Sequence, residues 1–171
     1  MADIKDRDNA IIMETTKGRV VIELFPDLAP AHVGRIKELT REGAYDGVVF
    51  HRVIDGFMAQ TGDVKFGKTG GGNFDGSRAG MGGSDKPDLK AEFSNMNHGR
   101  GTCSMARAQN PNSANSQFFI CFDDASFLNR QYSVWGQVIE GMENVDGIKR
   151  GEPVVDPDRI VSMRVAADVE A

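Results

Sequence analysis

A chain of 171 residues, 40 % hydrophobic and 26 % charged, is the size of one domain and holds enough apolar side chains for a packed core. Its formal net charge of −5 excludes a nucleic-acid binder that depends on a basic surface. No apolar run approaches the roughly 20 residues of a membrane span, and Ile11-Ile12-Met13 is too short for the apolar region of a signal peptide. A cytoplasmic monomer with no membrane or nucleic-acid partner is therefore expected. The two cysteines, Cys103 and Cys121, stand in apolar strand-like runs. They are expected as buried thiols in a reducing compartment rather than as a disulfide.

In chain order, residues 1–9 are polar and expected to be loose. Residues 11–14 and 20–25 read as short strands joined by the turn Thr16-Lys17-Gly18. Pro30 suits the first position of a helix, where its missing N–H is not needed. Val33, Ile36 and Leu39 then recur at helical spacing before Gly43. One face of that helix is apolar, which predicts that it lies on a sheet. Residues 46–61 read as a hairpin turning at Asp55-Gly56. Strand alternation puts Met58 and Gln60 on one face, with Phe57, Ala59 and Thr61 on the other. Arg52 sits on the first strand of the hairpin, and the plain reading is an edge strand whose Arg snorkels to water. Nine glycines between 62 and 90 mark a long loop of a functional or mobile kind.

Order resumes briefly at Ala91-Glu92-Phe93. Strands are predicted over 102–106 and 117–122, separated by a turn-rich stretch at 109–116, and again over 133–139. Met142, Val145 and Ile148 mark a second helix, with Lys149 and Arg150 in its last turn and Gly151 as its stop. After a loop at 153–158, residues 160–165 form the last strand. Eight short strands and two helices without alternating βαβ units favour a closed or nearly closed antiparallel barrel capped by helices.

Several chemistries are disfavoured. Gly62-Asp63-Val64-Lys65-Phe66-Gly67-Lys68-Thr69 matches the phosphate-cradling pattern G-x-x-x-x-G-K-[ST] letter by letter. That pattern works where a strand passes into a helix N-terminus, and the Gly70-Gly71-Gly72 that follows is a poor helix start. Nucleotide binding is not expected. His32, His51 and His98 have no zinc-like spacing to one another or to the cysteines, so no metal and no cofactor are expected. His32, in the first helical turn, is expected to be solvated. The serines show no nucleophile elbow, and no cysteine sits beside an obvious base. What remains is a site of one cation, aromatics, Met and amides.

Two stretches carry a resemblance. Phe50-His51-Arg52 followed by Gly56-Phe57-Met58-Ala59-Gln60-Thr61-Gly62-Asp63 resembles the signature of the cyclophilins, the cyclophilin-type peptidyl-prolyl cis–trans isomerases. So does Ser104-Met105-Ala106-Arg107 with Asn112, Ser113 and Ser116-Gln117-Phe118-Phe119-Ile120. Gly18-Arg19-Val20, Leu24-Phe25 and Gly141-Met142 fit the same family, so the similarity runs from about Ile11 to Val165. It implies a closed eight-stranded antiparallel β-barrel capped by two helices, in one domain over 1–171. It also implies an isomerase of X-Pro bonds in peptides and unfolded protein clients, with a non-catalytic proline-peptide binding module or holdase as the alternative.

The resemblance implies a catalytic Arg52, with Gln60 bonded near the isomerising carbonyl and helping to hold it. Phe57, Met58, Phe119 and Leu128 would take the proline ring, and Ala106, Arg107 and Gln117 the residues before it, the Arg107 backbone pairing to the peptide. Phe127 and Tyr132 complete the substrate-binding set. The common animal-type pattern has Asn, Trp and His where this chain has Arg107, Phe127 and Tyr132. Phe127 lacks an indole N–H, so weak cyclosporin binding with isomerase activity kept is expected.

Overall fold

Runs of β-branched and aromatic residues bounded by Gly, Pro and Asp turns form the strands. The computed structural model describes residues 4–169. Its strands are β1 (Ala10–Thr15), β2 (Gly18–Leu24), β3 (Arg52–Ile54), β4 (Met58–Thr61), β5 (Thr102–Met105), β6 (Phe118–Cys121), β7 (Val134–Glu140) and β8 (Ile160–Val165), with helices α1 (Pro30–Arg41) and α2 (Met142–Asp146). All eight strands join one sheet in the order β3-β4-β6-β5-β7-β2-β1-β8, and every pairing is antiparallel.

The sheet curls but does not close, which corrects the closed barrel expected above. β3 and β8 are its two edges and share no ladder. Isolated bridges, Val49 to Arg159 and Val53 to Gly151, connect the two sides instead. The reason lies in how the edges are covered. Gly47 N and Phe50 N donate to Ile160 O and Asp158 O before β3 begins, while β3 itself pairs with Gly151, in the loop that precedes β8.

Inward-facing side chains of the sheet make the main core. Phe118 is fully buried and meets Tyr45 and Trp135 edge-on, with ring centroids 5.5 and 5.2 Å away. Such geometry suits the aromatic quadrupole. α1 covers this core with Val33, Ile36 and Leu39, as its periodicity predicts. No side chain of its own caps its start. Glu92 does so from outside, accepting Ala31 N at 3.2 Å and His32 N at 2.9 Å. Glu92 also sits 2.5 Å from His32 Nδ1. His32 is therefore buried rather than solvated, a correction that follows from the 91–93 segment closing over the helix N-terminus.

One further correction concerns a helix end. α2 stops at Asp146 rather than continuing through Arg150. Arg150 turns back to donate to Asp146 O at 2.5 Å and Ile148 O at 2.7 Å, while Lys149 N donates to Asp158 Oδ2 at 2.8 Å. The phosphate-loop look-alike also has a structural use. Lys68 Nζ donates to Gly43 O, Ala44 O and Asp46 O at 2.7–3.2 Å, tying down the turn after α1. Cys103 and Cys121 are free and buried, and burial pushes the Cys121 thiol up to about 12. Of the segment expected to be loose, residues 1–3 lie outside the described residues. Arg7 donates to Ala166 O at 2.8 Å. No helix among the described residues is long and apolar enough to cross a membrane.

Candidate active site

Strand alternation builds the site. Cross-strand pairing sets Arg52 opposite Gln60, Gln60 opposite Phe119, and Phe119 opposite Ser104. This row lies on the face of the sheet away from the main core, together with Met58 and Cys121. The hollow above it measures about 150 Å³ and is lined by Arg52, Phe57, Met58, Gln60, Ala106, Arg107, Phe119, Leu128 and Tyr132. Phe57 joins Met58 there, contrary to the face assigned by alternation. It belongs to the turn, its N–H donating to Ile54 O at 3.0 Å, so the strand period does not bind its side chain. Of the other two residues named from sequence, Gln117 lines the adjoining hollow. Phe127 stands at the rim, 65 % exposed, its ring 5.5 Å from that of Phe57.

The apolar floor is braced from behind. Tyr132 meets Phe119 edge-on at 5.6 Å, and the buried His98 ring stacks on Phe119 at 6.3 Å. His98 Nδ1 lies 2.9 Å from Asn129 Oδ1 and Nε2 lies 3.0 Å from Ser104 Oγ. Burial holds its pKa below the usual histidine range, so the ring stays neutral under the pocket. Arg107 puts its guanidinium over Tyr132 at 4.6 Å and donates to Gln131 O at 2.7 and 3.0 Å. Its own N–H and C=O carry no hydrogen bond among the described residues.

A chain of hydrogen bonds forms the polar wall. Arg52 Nη1 donates to Gln60 Oε1 at 3.3 Å, and Gln60 Nε2 donates to Gln117 Oε1 at 3.0 Å. Gln117 Nε2 donates to Gly80 O and Gly82 O at 2.9 and 2.8 Å. The N–H groups of the same two glycines donate to Asp63 Oδ2 at 2.8 and 2.9 Å. Asp63 is fully buried, and its other oxygen accepts Lys65 N and Phe66 N. Arg52 Nε donates to Glu152 Oε2 at 2.5 Å. Arg52 Nη2 has no partner among the described residues.

The glycine-rich loop, which sequence reasoning left without a role, thus supplies a wall. Gly80, Met81 and Gly82 bound a second hollow of about 240 Å³ that shares Gln60, Ala106 and Arg107 with the first. Gly80 needs its left-handed φ of +103°, and a Cβ there would lie 2.9 Å from His51 Cδ2. Asp63, His98 and Glu152 were also missed. Asp63 stands inside the first motif, so proximity was a signal for it. Glu152 is 100 positions from Arg52 and left none. A larger hollow of about 820 Å³, between residues 4–10 and 23–28, contains none of the residues of the two motifs. No group of three or more His, Cys, Asp or Glu among the described residues is placed to hold a metal ion.

Comparison with known proteins agrees with this geometry. The profile of the family "Cyclophilin type peptidyl-prolyl cis-trans isomerase/CLD" matches residues 10–165. A Brucella suis protein described as a "Probable peptidyl-prolyl cis-trans isomerase" is 57 % identical over 99 % of this chain and 88 % of its own length. Peptidyl-prolyl cis-trans isomerase B of Escherichia coli is 38 % identical over 81 % of this chain and 83 % of its own. Among solved structures, a cyclophilin from Hirschia baltica superposes with a TM-score of 0.83 at 32 % identity, covering 96 % of this chain and 76 % of that one. A Cryptosporidium parvum cyclophilin-type isomerase, solved in the presence of the dipeptide Ala-Pro, gives 0.77 at 26 % identity, covering 91 % of this chain and 98 % of that one. Motifs, curled sheet and overall sequence point the same way: this chain belongs to the cyclophilin-type peptidyl-prolyl cis–trans isomerases.

Proposed function

We propose that the chain turns X-Pro bonds by holding the proline ring in the 150 Å³ hollow while the Arg52 guanidinium stabilises the twisted amide. A peptide bond resists rotation by about 18–20 kcal/mol because resonance gives its C–N bond double-bond character. Before proline, cis and trans are close in energy but interchange over tens to hundreds of seconds. Catalysis therefore needs no nucleophile, metal or cofactor. It needs an environment that favours the twisted state, in which the nitrogen becomes pyramidal and regains a lone pair. A donor aimed at that nitrogen binds the transition state more strongly than the planar amide.

The observation that carries this reading is the state of Arg52. Two of its nitrogens are held, by Glu152 and Gln60, and Nη2 is left without a partner among the described residues. Arg suits the task because it stays charged and presents a fixed planar fork. Phe57, Met58, Phe119 and Leu128 grip the ring, with Tyr132 behind Phe119 and Phe127 at the rim. Gln60 serves both Arg52 and the isomerising carbonyl. Ala106, Arg107 and Gln117 take the residues before proline. The Arg107 backbone, without a hydrogen bond among the described residues, and the Ala-Pro dipeptide named with the Cryptosporidium parvum relative support a peptide there. In this reading a single domain works as a cytoplasmic monomer on proline-containing peptides and unfolded clients, assisting their folding, and binds cyclosporin weakly.

The deciding experiment compares wild type and Arg52→Ala on an X-Pro peptide. A charge-assisted hydrogen bond is worth about 1.5–3 kcal/mol, so kcat/KM is expected to fall roughly 10- to 100-fold. Peptide binding by titration should stay within a few-fold. Equal rates for the two proteins would remove the mechanism and favour a groove kept for recognition or holding alone.

A further inference from the structure

Glu152 belongs to neither motif, yet backbone pairing delivers it to Arg52. β3 is a sheet edge, and the loop before β8 covers it. Gly151 N donates to Val53 O and Val53 N to Gly151 O, each at 2.8 Å, and Val154 N donates to His51 O at 3.1 Å. Residue 152 thus stands beside Arg52 by register, not by the chance meeting of two surface side chains. Gly151 permits the tight path of this loop: a Cβ there would lie 2.8 Å from both Pro153 O and Val154 Cα.

As a stability device the pair is weak. Arg52 and Glu152 are 41 % and 57 % exposed, and exposed ion pairs contribute little. Its geometric effect is more useful. The guanidinium is a rigid fork of five donors. Gln60 alone, at 3.3 Å on Nη1, leaves that fork free to swing about the last torsions of a long side chain. A second acceptor at 2.5 Å on Nε fixes the plane and leaves Nη2 without a partner among the described residues.

We propose that Glu152 is a positioning residue that anchors the Nε edge of Arg52 and so keeps Nη2 over the proline hollow. The proposal rests on the role given to Arg52 above. The test measures X-Pro turnover for wild type, Glu152→Ala, Glu152→Gln and Arg52→Ala, and follows the Arg52 Nε–H signal by 15N NMR. A glutamine carbonyl can accept the same Nε–H without the charge. Glu152→Ala is expected to lower kcat about fivefold, with KM within about twofold, and to broaden the Nε–H signal through faster exchange. Glu152→Gln should restore most of the turnover and the sharp signal. Because both side chains are exposed, melting temperatures should stay close to wild type.

Turnover of Glu152→Ala at the wild-type rate would overturn the proposal. So would a Glu152→Gln variant as slow as Glu152→Ala, since charge rather than anchoring would then be at work. If Arg52→Ala itself matches wild type, the reading of Arg52 fails instead, whereas a slow Arg52→Ala beside an unaffected Glu152→Ala refutes the anchoring alone.

Discussion

The two faces of the β4–β6 pair are built from the same few residues and do different work. Ala59, Phe118 and Ile120 point into the main core, while Met58, Phe119 and Cys121 point the other way into a smaller cluster. Burial hardly separates them, since Met58 is 1 % and Phe119 5 % exposed. The difference lies in what covers each face. On the inner side Tyr45 and Trp135 close directly on Phe118. On the outer side Leu128, Tyr132 and the rim aromatics leave a hollow of about 150 Å³. A large buried aromatic therefore does not by itself announce a structural role, because the layer above it decides whether it is core or floor.

Paired truncations break this comparison most directly. Phe118→Ala should lower unfolding free energy by about 3–5 kcal/mol, the usual range for emptying a packed aromatic site. Phe119→Ala removes a ring that already faces a hollow, so its stability loss should fall at or below the bottom of that range, while kcat/KM drops at least about tenfold. Urea unfolding and an X-Pro assay on both variants check this. Equal stability losses with activity kept in Phe119→Ala would erase the distinction between the faces.

The polar wall gives a smaller but more local effect. Asp63 accepts four backbone N–H groups while fully buried, two of them from Gly80 and Gly82. In Asp63→Asn one oxygen becomes an NH2 group set against two donors. The expected cost is about 1–3 kcal/mol, concentrated in the glycine loop. Hydrogen exchange at the Gly80 and Gly82 amides should quicken. Turnover should fall as well, because the acceptors of Gln117, and through it Gln60, loosen. Unchanged exchange at those two amides would mean that the loop is held by something other than Asp63.

Much of the outer face was legible in the sequence because it depends on period and local turn chemistry. Alternation gives Met58 with Gln60, and Asp55-Gly56 gives the turn, with Gly56 at φ +72°. Alternation failed at Phe57, one residue inside the turn, where strand geometry does not yet apply. The two motifs hold seven of the nine residues that line one hollow, and the family resemblance supplied Leu128 and Tyr132. What stayed hidden depends on long-range meetings. Glu92 reaches α1 from 60 positions away, which buried a histidine read as solvated. Glu152 reaches Arg52 from 100 positions away. The barrel was read as closed because eight strands of the right kind were countable, whereas edge pairing depends on three-residue β3 being diverted to Gly151.

The histidine within the first motif ties stability to pH. His51 is nearly buried, and burial pulls its pKa down to about 4, with Asp63 opposing and Arg52 adding to the shift. In the unfolded chain it titrates near 6.5. Between those values only the unfolded chain binds the proton. His51 therefore leaves stability intact above about pH 6.5 and erodes it as pH falls below that, by up to ~1.4 kcal/mol per unit. Urea unfolding at pH 7, 6 and 5 should show the decline. His51→Gln should be less stable at pH 7 yet lose stability less steeply on acidification. An undiminished slope would assign it to the buried His32 and His98, whose pKa values burial also lowers.

The smallest effect sits at the rim, where the outer cluster meets water. Phe127 is 65 % exposed and leans on Phe57 at 5.5 Å with a 37° tilt. Its backbone is held by Gln131 Nε2 donating to Phe127 O at 2.9 Å, so a larger ring can be accommodated by turning outward without moving the loop. Phe127→Trp adds one indole N–H to the rim and leaves the floor, Arg52 and Gln60 untouched. A neutral hydrogen bond contributes about 0.5–1.5 kcal/mol, so cyclosporin affinity should rise about two- to tenfold. X-Pro turnover should stay within about twofold, since Phe127 is not among the residues that line the 150 Å³ hollow. Calorimetric titration of both proteins with cyclosporin decides it. An affinity that does not rise would mean that an indole N–H at this rim does not govern cyclosporin binding, and that contact area between Phe57 and the ligand governs it instead.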